Sequence, residues 1–305
     1  MNLQPLTIDQ YHRLKPFFDE QQHRLGAYCL SSIIAWQTCF YQPQFAVDAD
    51  GWLVVAAEFF KSREKRHLLL PIRPGFAPPP DQLRRLALDA GFDSYWFVPE
   101  AYLKARLAEL ERYFSVCEQD AFHDYVYRRC DLAELAGRSY HKKRNLIRQF
   151  TDAYVQTGRA EAAPILPGDV PACLAFLEQW CQERDCGVED EEDDLACEKI
   201  AAINALENLA HTDARGLLIR VDGTVSAFAI GDRLTADMGV LMFEKAFSGI
   251  KGLYQYLDRA CARRLFDDGL AFINKESDMG IPGLRQAKRS YHPVAISKSY
   301  MLTLR

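Results

Sequence analysis

Hydrophobic and polar positions change period several times along the chain, and each change predicts an element. A capping pattern at Thr7–Gln10 predicts a helix to about Glu20. The apolar stretch Leu30–Trp36 is ambiguous between helix and strand. The other elements predicted for the first half are strands at 44–47, 52–60, 66–72, 94–98 and 122–129 and helices at 81–90, 99–113 and 137–154.

A proline-rich break at 164–171 precedes a second series of elements. The dipeptide Asp222-Gly223 lies between two apolar runs and predicts a hairpin turn there. The elements predicted for this half are helices at 170–185, 195–210, 250–268 and 283–290 and strands at 216–221, 224–231, 236–243, 270–273 and 295–304.

Each half therefore contains helices, an antiparallel meander, a long helix, a strand, a helix and a final strand. A helix that follows a meander must return so that the next strand pairs in parallel. This order resembles that of the GNAT acyltransferase fold, and it occurs twice, although no residue-level repeat aligns. We predict an α+β chain with mixed sheets, built from two tandem GNAT-like domains. The predicted domains are 1–158 and 159–305, and the second carries the active-site motifs.

Composition narrows the class of protein. The 305 residues carry a net charge of −5, so a polyanionic partner would need a local basic patch. The nine cysteines form no CxxC pair, which is typical of buried residues in a reducing compartment and argues against zinc. No apolar run approaches the ~18 residues of a membrane span, and the N-terminus does not resemble a signal peptide. We predict a bacterial, cytoplasmic protein without a metal or transmembrane segment, and its oligomeric state stays open.

The segment GRSYHKKRNLIRQF, residues 137–150, is predicted to be a basic helix. The cluster is dense for an acidic protein and contains no Glu for i,i+4 pairing. We favour a site for a polyanion such as tRNA over the alternative, a solvated helix face. The residues predicted to bind the polyanion are His141, Lys142, Lys143, Arg144 and Arg148.

A glycine-containing turn, residues 248–252, opens the helix predicted at 250–268. Helix N-termini expose unpaired N–H groups, and glycine lets a phosphate approach the backbone closely. In the GNAT fold this turn binds the cofactor pyrophosphate, and Lys251 would add a positive charge. The alternative is an ordinary turn at the start of a helix.

The segment FINKESDMGIPGLRQAKRSYHP, residues 272–293, runs from a predicted strand into a predicted basic helix. Glu276 or Asp278 would orient or deprotonate an attacking amine or hydroxyl. Lys275, Arg285 and Lys288 would neutralise a phosphate or a developing oxyanion. The alternative is a solvated loop with salt bridges.

Six consecutive acidic residues occupy positions 189–194. They lack the spaced ligands of a calcium loop, and the histidines also lack metal-ligand spacing. We therefore predict a solvated loop that places negative charge at a helix N-terminus, where it is favourable.

Three of these segments, SYHKKRNLIRQF, KGLYQYLDRACA and FINKESDMGIPGLRQAKRSYHP, resemble bacterial proteins grouped with the C-terminal domain of phosphatidylglycerol lysyltransferases. The segment SSIIAWQTCFY, residues 31–41, is also similar, so the likeness spans nearly the whole chain. It implies two tandem GNAT-like domains, similar to the peptidoglycan-bridge aminoacyltransferases. The best-known relatives transfer an aminoacyl group from tRNA to a phosphatidylglycerol hydroxyl. The positions matched by motif are His141–Asn145, Lys251, Gly252, Tyr254, Asn274–Asp278, Gly283, Leu284, Arg285, Lys288 and Tyr291.

Three functions follow as hypotheses. The first is aminoacyl transfer from tRNA to an anionic lipid, peptide or small-molecule acceptor; the second is an N-acyltransferase that uses acyl-CoA. The third is a polyanion-binding module without turnover. Beyond these donor substrates no cofactor is predicted. The predicted catalytic residues are Lys275, Glu276 and Asp278, and the predicted donor-binding residues are Lys251, Gly252, Tyr254, Arg285, Lys288 and Tyr291.

Overall fold

A computed structural model describes residues 1–38, 40–183 and 194–305. The helices are α1 Tyr11–Asp19, α2 Leu30–Ala35, α3 Pro80–Ala90, α4 Glu100–Leu110, α5 Arg129–Glu134, α6 His141–Phe150, α7 Val170–Glu183, α8 Asp194–Glu207, α9 Leu253–Ala260 and α10 Pro282–Arg289. The strands are β1 Gln4–Pro5, β2 Tyr41–Val47, β3 Leu53–Phe59, β4 His67–Leu68, β5 Ser94–Pro99, β6 Phe114–Glu118, β7 Asp124–Arg128, β8 Ala160–Pro164, β9 Arg215–Val221, β10 Thr224–Thr235, β11 Met238–Ala246, β12 Phe272–Asn274, β13 Ala295–Ser297 and β14 Ser299–Leu304.

The strands form two mixed seven-stranded sheets. The first has the order β1-β2-β3-β4-β5-β14-β6, and the second has the order β13-β7-β12-β11-β10-β9-β8. Each contains an antiparallel meander followed by one parallel pair, β4 with β5 and β11 with β12. A helix connects the strands of each parallel pair, α3 in the first case and α9 in the second. The predicted mixed α+β fold with two GNAT-like units is confirmed.

The two sheets exchange strands. The C-terminal strand β14 lies in the first sheet, between β5 and β6, and β7 lies in the second sheet, between β12 and β13. The prediction of a single strand at 295–304 is therefore wrong, because β13 and β14 belong to different sheets. The run contains no turn signal, so only the pairing partners separate the two strands. The division at residue 158 stays a prediction, and each sheet contains strands from both sides of it.

Several local predictions also change. The ambiguous segment at 30–36 is helix α2. The short strands β1, β6 and β8 and the short helix α5 were not predicted. The strand predicted at 66–72 is confined to His67–Leu68. Helices α6 and α9 each continue into a π-helical turn, Thr151–Val155 and Cys261–Leu265.

One apolar core joins the two halves of the chain. Phe18 and Leu30 of the first half belong to the same buried cluster as Phe176 and Phe228 of the second. A separate cluster packs α9 and the end of α6 against the opposite face of the second sheet. The second sheet is thus covered on both faces, which is why its strands are apolar along most of their length. Among the described helices, none has the length and apolar character needed to cross a bilayer.

Candidate active site

The parallel pair in the second sheet opens shortly after it forms. Strands β11 and β12 are paired only from Met238 with Phe272 to Val240 with Asn274. The chain of β12 then leaves the sheet, whereas β11 continues to Ala246. Met242 is an extra residue relative to β10, and such a bulge bends a strand locally. The segment 275–281, which we call the signature loop, begins at this opening.

Lys275 closes the opening with a buried ion cluster. Its Nζ atom lies 2.9 Å from Oε2 of Glu244 on β11 and 2.9 Å from Oδ1 of Asp258 on α9. Burial alone would lower the pKa of Lys275, but the two carboxylates hold it well above its usual value. Lys275 is therefore a permanent cation that ties three elements together.

Glu276 is the next residue, and its surroundings differ. Its φ angle is +56°, a strained value for a residue with a side chain. Within the described residues, its carboxyl group makes no hydrogen bond or ion pair. Burial and the nearby charge of Asp124 raise the pKa of Glu276 to about 8. This value suits proton transfer near neutral pH.

Gly26 and Asp124 hold the other side of this carboxyl. A Cβ atom on Gly26 would lie 3.0 Å from Cγ of Glu276 and 3.5 Å from Oδ2 of Asp124. Asp124 accepts hydrogen bonds from the backbone N–H of Gly26, at 2.6 Å, and from Nδ2 of Asn274, at 2.8 Å. Burial raises the pKa of Asp124 to about 6 despite these bonds. The half-buried Glu276 and the buried Asp124 lie side by side, an arrangement that favours sharing a proton between the two carboxyl groups.

Lys288 of α10 lies above the start of the signature loop. Its ammonium donates to the backbone carbonyl oxygens of Lys275 and Glu276, the second at 3.2 Å. Burial, and then the charge of Lys275, lower the pKa of Lys288 to about 8. A lysine and a glutamate with pKa values near neutrality thus lie in the same site.

Asp278 is held by several donors. Its carboxylate accepts from the hydroxyl of Tyr125 at 2.6 Å, from the guanidinium of Arg285 at 2.8 and 3.1 Å, and from the N–H of Gly280 at 2.9 Å. Burial raises the pKa of Asp278, but these bonds outweigh it and lower the pKa to about 2. Such a carboxylate is a weak base, so its geometry suits anchoring of the loop. A catalytic role for Asp278 stays a prediction.

The basic helix α6 divides its cations between two environments. The Nζ of Lys143 lies 3.3 Å from the ring centroid of Tyr291 and donates to the hydroxyl of Ser290 at 2.8 Å. Burial lowers the pKa of Lys143 to about 8. Arg144 donates to the carbonyl oxygens of Leu135 and Gly137. The basic residues of α6 that are exposed to solvent are His141, Lys142 and Arg148.

The turn before α9 packs against α6. Gly252 has a φ of +84°, and a Cβ atom there would lie 2.2 Å from the carbonyl oxygen of Leu146. The glycine is thus explained by helix packing. Tyr254 donates its hydroxyl to the backbone oxygen of Glu244 at 2.8 Å, and Lys251 is exposed. Donor binding by these three residues stays a prediction.

Five residues of the site were not found from the sequence, namely Gly26, Asp124, Tyr125, Glu244 and Asp258. They lie far from the signature loop along the chain, and pairing and packing bring them together. Glu244 had a usable signal, an acidic residue inside an apolar strand pattern. The solvated loop predicted for the acidic run at 189–194 lies outside the described residues. Only the backbone of Asp194 is described.

Solved structures share this architecture. A conserved protein of unknown function from Bacteroides thetaiotaomicron is 29% identical, with both chains covered completely and a TM-score of 0.89. The C-terminal domain of a putative lysylphosphatidylglycerol synthetase from Agrobacterium fabrum is 13% identical, with 97% of this chain and 91% of that chain covered and a TM-score of 0.63. FemX is 10% identical, with coverage of 100% and 98% and a TM-score of 0.64.

The fold is that of a tandem GNAT-like protein of the acyltransferase class. The chain belongs to the family of the phosphatidylglycerol lysyltransferase C-terminal domain, whose model matches residues 77–303. The family resemblance seen in the sequence motifs is confirmed. No curated protein matches the chain.

Proposed function

We propose that this protein transfers an aminoacyl group from aminoacyl-tRNA to an amine or hydroxyl acceptor. The family and the fold support acyl transfer in general. The name of the family, a lysyltransferase that acts on phosphatidylglycerol, supports an aminoacyl donor and a lipid or similar acceptor. The observation that carries the mechanism is the Glu276 carboxyl at the opening between β11 and β12, which has no hydrogen bond or ion pair to any residue that the structure describes.

In the proposed reaction Glu276 takes the proton of the acceptor. The acceptor nitrogen or oxygen attacks the ester carbonyl carbon of the donor, and its proton moves to the Glu276 carboxylate. The tetrahedral intermediate then collapses, and the bond from the carbonyl carbon to the ribose oxygen breaks. Glu276 returns the proton to that oxygen. No covalent enzyme intermediate is needed, so orientation and electrostatics carry the remaining acceleration.

The lysines have different roles in this proposal. Lys288 is the cation next to Glu276, and its field favours the ionised carboxylate. It also favours the negative charge that develops on the carbonyl oxygen in the transition state. Lys275 is engaged by Glu244 and Asp258 and therefore holds the opening in shape.

The charged tRNA would contact the exposed part of the basic helix. His141, Lys142 and Arg148 are exposed on α6, whereas Lys143 and Arg144 bind groups of the protein itself. Phosphate contacts of this kind are sensitive to salt. Substituting Lys142 and Arg148 should therefore weaken RNA binding more at low salt than at high salt.

The first experiment follows radiolabelled amino acids in a pool of charged tRNA, with and without phosphatidylglycerol vesicles. The expected result is protein-dependent loss of label from tRNA and its appearance in an acceptor product. Glu276→Gln should lower the rate by about 100-fold, a usual contribution of a general base. Glu161→Gln, at an exposed position on β8, is the matched control and should keep the wild-type rate.

Three outcomes would count against the proposal. Unchanged turnover in Glu276→Gln would remove this residue from the mechanism. Absence of label transfer, together with acylation of an amine from acyl-CoA, would replace the tRNA donor by the acyl-CoA alternative. Salt-sensitive RNA binding without turnover of either donor would favour the polyanion-binding alternative.

A further inference from the structure

A row of four aromatic rings crosses one end of the first sheet. The rings belong to Tyr41 on β2, Phe59 on β3, His67 on β4 and Trp96 on β5. Successive ring centroids lie 5.0, 6.1 and 4.6 Å apart. The rings of His67 and Trp96 are stacked and nearly parallel, with 5° between their planes. We call this set the aromatic row.

The aromatic row is not sealed in the core. Tyr41, Phe59 and Trp96 are half-buried, and only His67 is buried. Phe97, which packs beside Trp96, has a φ of +56°, a genuine outlier for an aromatic residue. Backbone strain of this kind clusters at ligand-binding sites.

Trp96 also has an unused hydrogen-bond donor. Its Nε1 atom is buried and has no partner among the described residues. Buried polar groups in folded proteins are almost always paired, so this donor is suited to an acceptor on a ligand. Burial lowers the pKa of the neighbouring His67 to about 4, so its ring is neutral at physiological pH.

Positive charge flanks the row on the segment after β3. Arg63 and Lys65 are exposed there with the exposed Glu64 between them, which leaves a net positive charge. Phe60, directly after Phe59, is 61% exposed. Glu58 is neutralised by Arg66, whose Nε lies 2.6 Å from its carboxylate. Half-exposed rings beside cations are the features of surfaces that bind single-stranded nucleic acid.

The row also adjoins the candidate active site. Phe122 packs on Trp96 and Phe97, and its neighbour Ala121 lies 3.6 Å from the position of a Cβ atom on Gly280 in the signature loop. Tyr28 donates to the carbonyl oxygen of Phe97 at 3.1 Å and belongs to the same turn as Gly26, which contacts Glu276. These contacts connect the row by continuous packing to the loop that carries Glu276.

We propose that the aromatic row binds the unpaired bases of a single-stranded RNA end, which stack on its rings while Arg63 and Lys65 contact the phosphates. This proposal rests on the proposed function for the reaction that the RNA serves, because the donor end of a charged tRNA is single-stranded. Binding of uncharged RNA tests the row without any turnover.

The test uses the full chain and a fluorescein-labelled single-stranded RNA of eight nucleotides, with binding followed by anisotropy. The same strand in a duplex is the second probe. Trp96→Leu should weaken binding of the single strand by about 10-fold, because stacking of a base on an aromatic ring contributes strongly to such binding. Phe76→Leu is the matched control, because Phe76 is 63% exposed and also lies next to an arginine, Arg73.

Unchanged affinity in Trp96→Leu, or equal binding of the duplex, would overturn the proposal. An equal loss in Phe76→Leu would do the same. Should Trp96→Leu not fold, Tyr41→Leu at the other end of the row carries the same expectation. Binding that depends on the row without aminoacyl transfer would uphold this inference and remove the proposed function. Aminoacyl transfer at an unchanged rate in the variants of the aromatic row would contradict RNA binding by the row and would leave the proposed function standing.

Discussion

Glu276 is the residue on which the chemistry of the site depends. Its carboxyl lies in a buried space bounded by Gly26, Asp124 and Lys288. Hydrogen-bond donors stabilise the Asp278 carboxylate as an anion. Among the described residues, no donor bonds to the Glu276 carboxyl group in this way. Two acidic residues two positions apart therefore have pKa values on opposite sides of the usual range, and this difference separates a proton-transfer group from an anchor.

The raised pKa of Glu276 predicts a pH-dependent stability. A carboxyl whose pKa is higher in the folded chain binds its proton more tightly there, so stability falls as pH rises from about 4.5 to about 8. Glu276→Gln removes the titratable carboxyl group and therefore this pH dependence. Between pH 5.5 and 7.5 the wild type should lose about 2–3 kcal/mol more unfolding free energy than the variant, since the slope approaches ~1.4 kcal/mol per pH unit. Urea titrations at the two pH values measure the difference.

Glu161→Gln should keep the wild-type pH dependence in the same titrations. Parallel curves for wild type and Glu276→Gln would mean that Glu276 titrates normally. That result would also remove the argument for it as the proton-transfer group.

The lowered pKa of Asp278 predicts the opposite pH dependence of stability. Its pKa is lowered, so its contribution is present above the usual value of 3.8 and is lost as pH falls towards 2. Asp278→Asn should lower the unfolding free energy at pH 7 by about 2 kcal/mol, because buried hydrogen bonds to a charged group are lost. Asp50→Asn is the control, since its pair with Arg85 is exposed on both sides. Equal unfolding midpoints for the two variants would contradict the anchoring role.

The turn before α9 shows how one residue sets the packing of two helices. Gly252 brings α9 against the backbone of α6 at Leu146, and no other residue type fits that contact. The same packing places Asp258 of α9 beside Lys275. The glycine turn predicted to bind a phosphate thus also positions part of the ion cluster.

Gly252→Ala should destabilise the protein by about 2 kcal/mol or more, because the added Cβ atom overlaps a carbonyl oxygen and the φ is positive. Gly249→Ala, three residues earlier, meets nothing within 4 Å and should change stability by less than about 0.5 kcal/mol. Thermal unfolding of the two variants measures both. A Gly252→Ala protein as stable as Gly249→Ala would show that α6 and α9 are not in this contact.

The exchange of strands makes the two halves interdependent. The first sheet needs β14 from the C-terminus to join β5 and β6, and the second sheet needs β7 to join β12 and β13. The largest apolar cluster also contains residues from both halves. Folding of one half without the other would leave strand edges and apolar surface exposed.

Fragments 1–158 and 159–305 should therefore not fold when expressed separately. We expect poor amide dispersion in NMR spectra of fragment 1–158 and no cooperative urea transition. Mixing or co-expressing both fragments should restore the transition, and the full chain should unfold in one step. A fragment 1–158 that unfolds cooperatively alone would show that the halves are independent domains.

Local sequence patterns were sufficient to predict many of the secondary-structure elements of this protein. Helices such as α3, with its Gly91 cap, and the meander around Asp222-Gly223 follow from periodicity and turn residues, which act over a few positions. The segment that leaves β12 was recognised because charged residues followed an apolar strand. Glu276 was named on that basis, although nothing local distinguished it from Asp278.

Contacts between residues far apart in the sequence determined the strand pairing and the properties of the site. Whether Ala295–Ser297 and Ser299–Leu304 are one strand or two depends on β7, β5 and β6, which lie more than 160 residues earlier. The different pKa values of Glu276 and Asp278 arise from burial and from partners on other elements, Asp124 for one and Tyr125 for the other. Periodicity reports which face of an element is apolar, whereas the neighbours that a side chain meets exist only once the sheets have assembled.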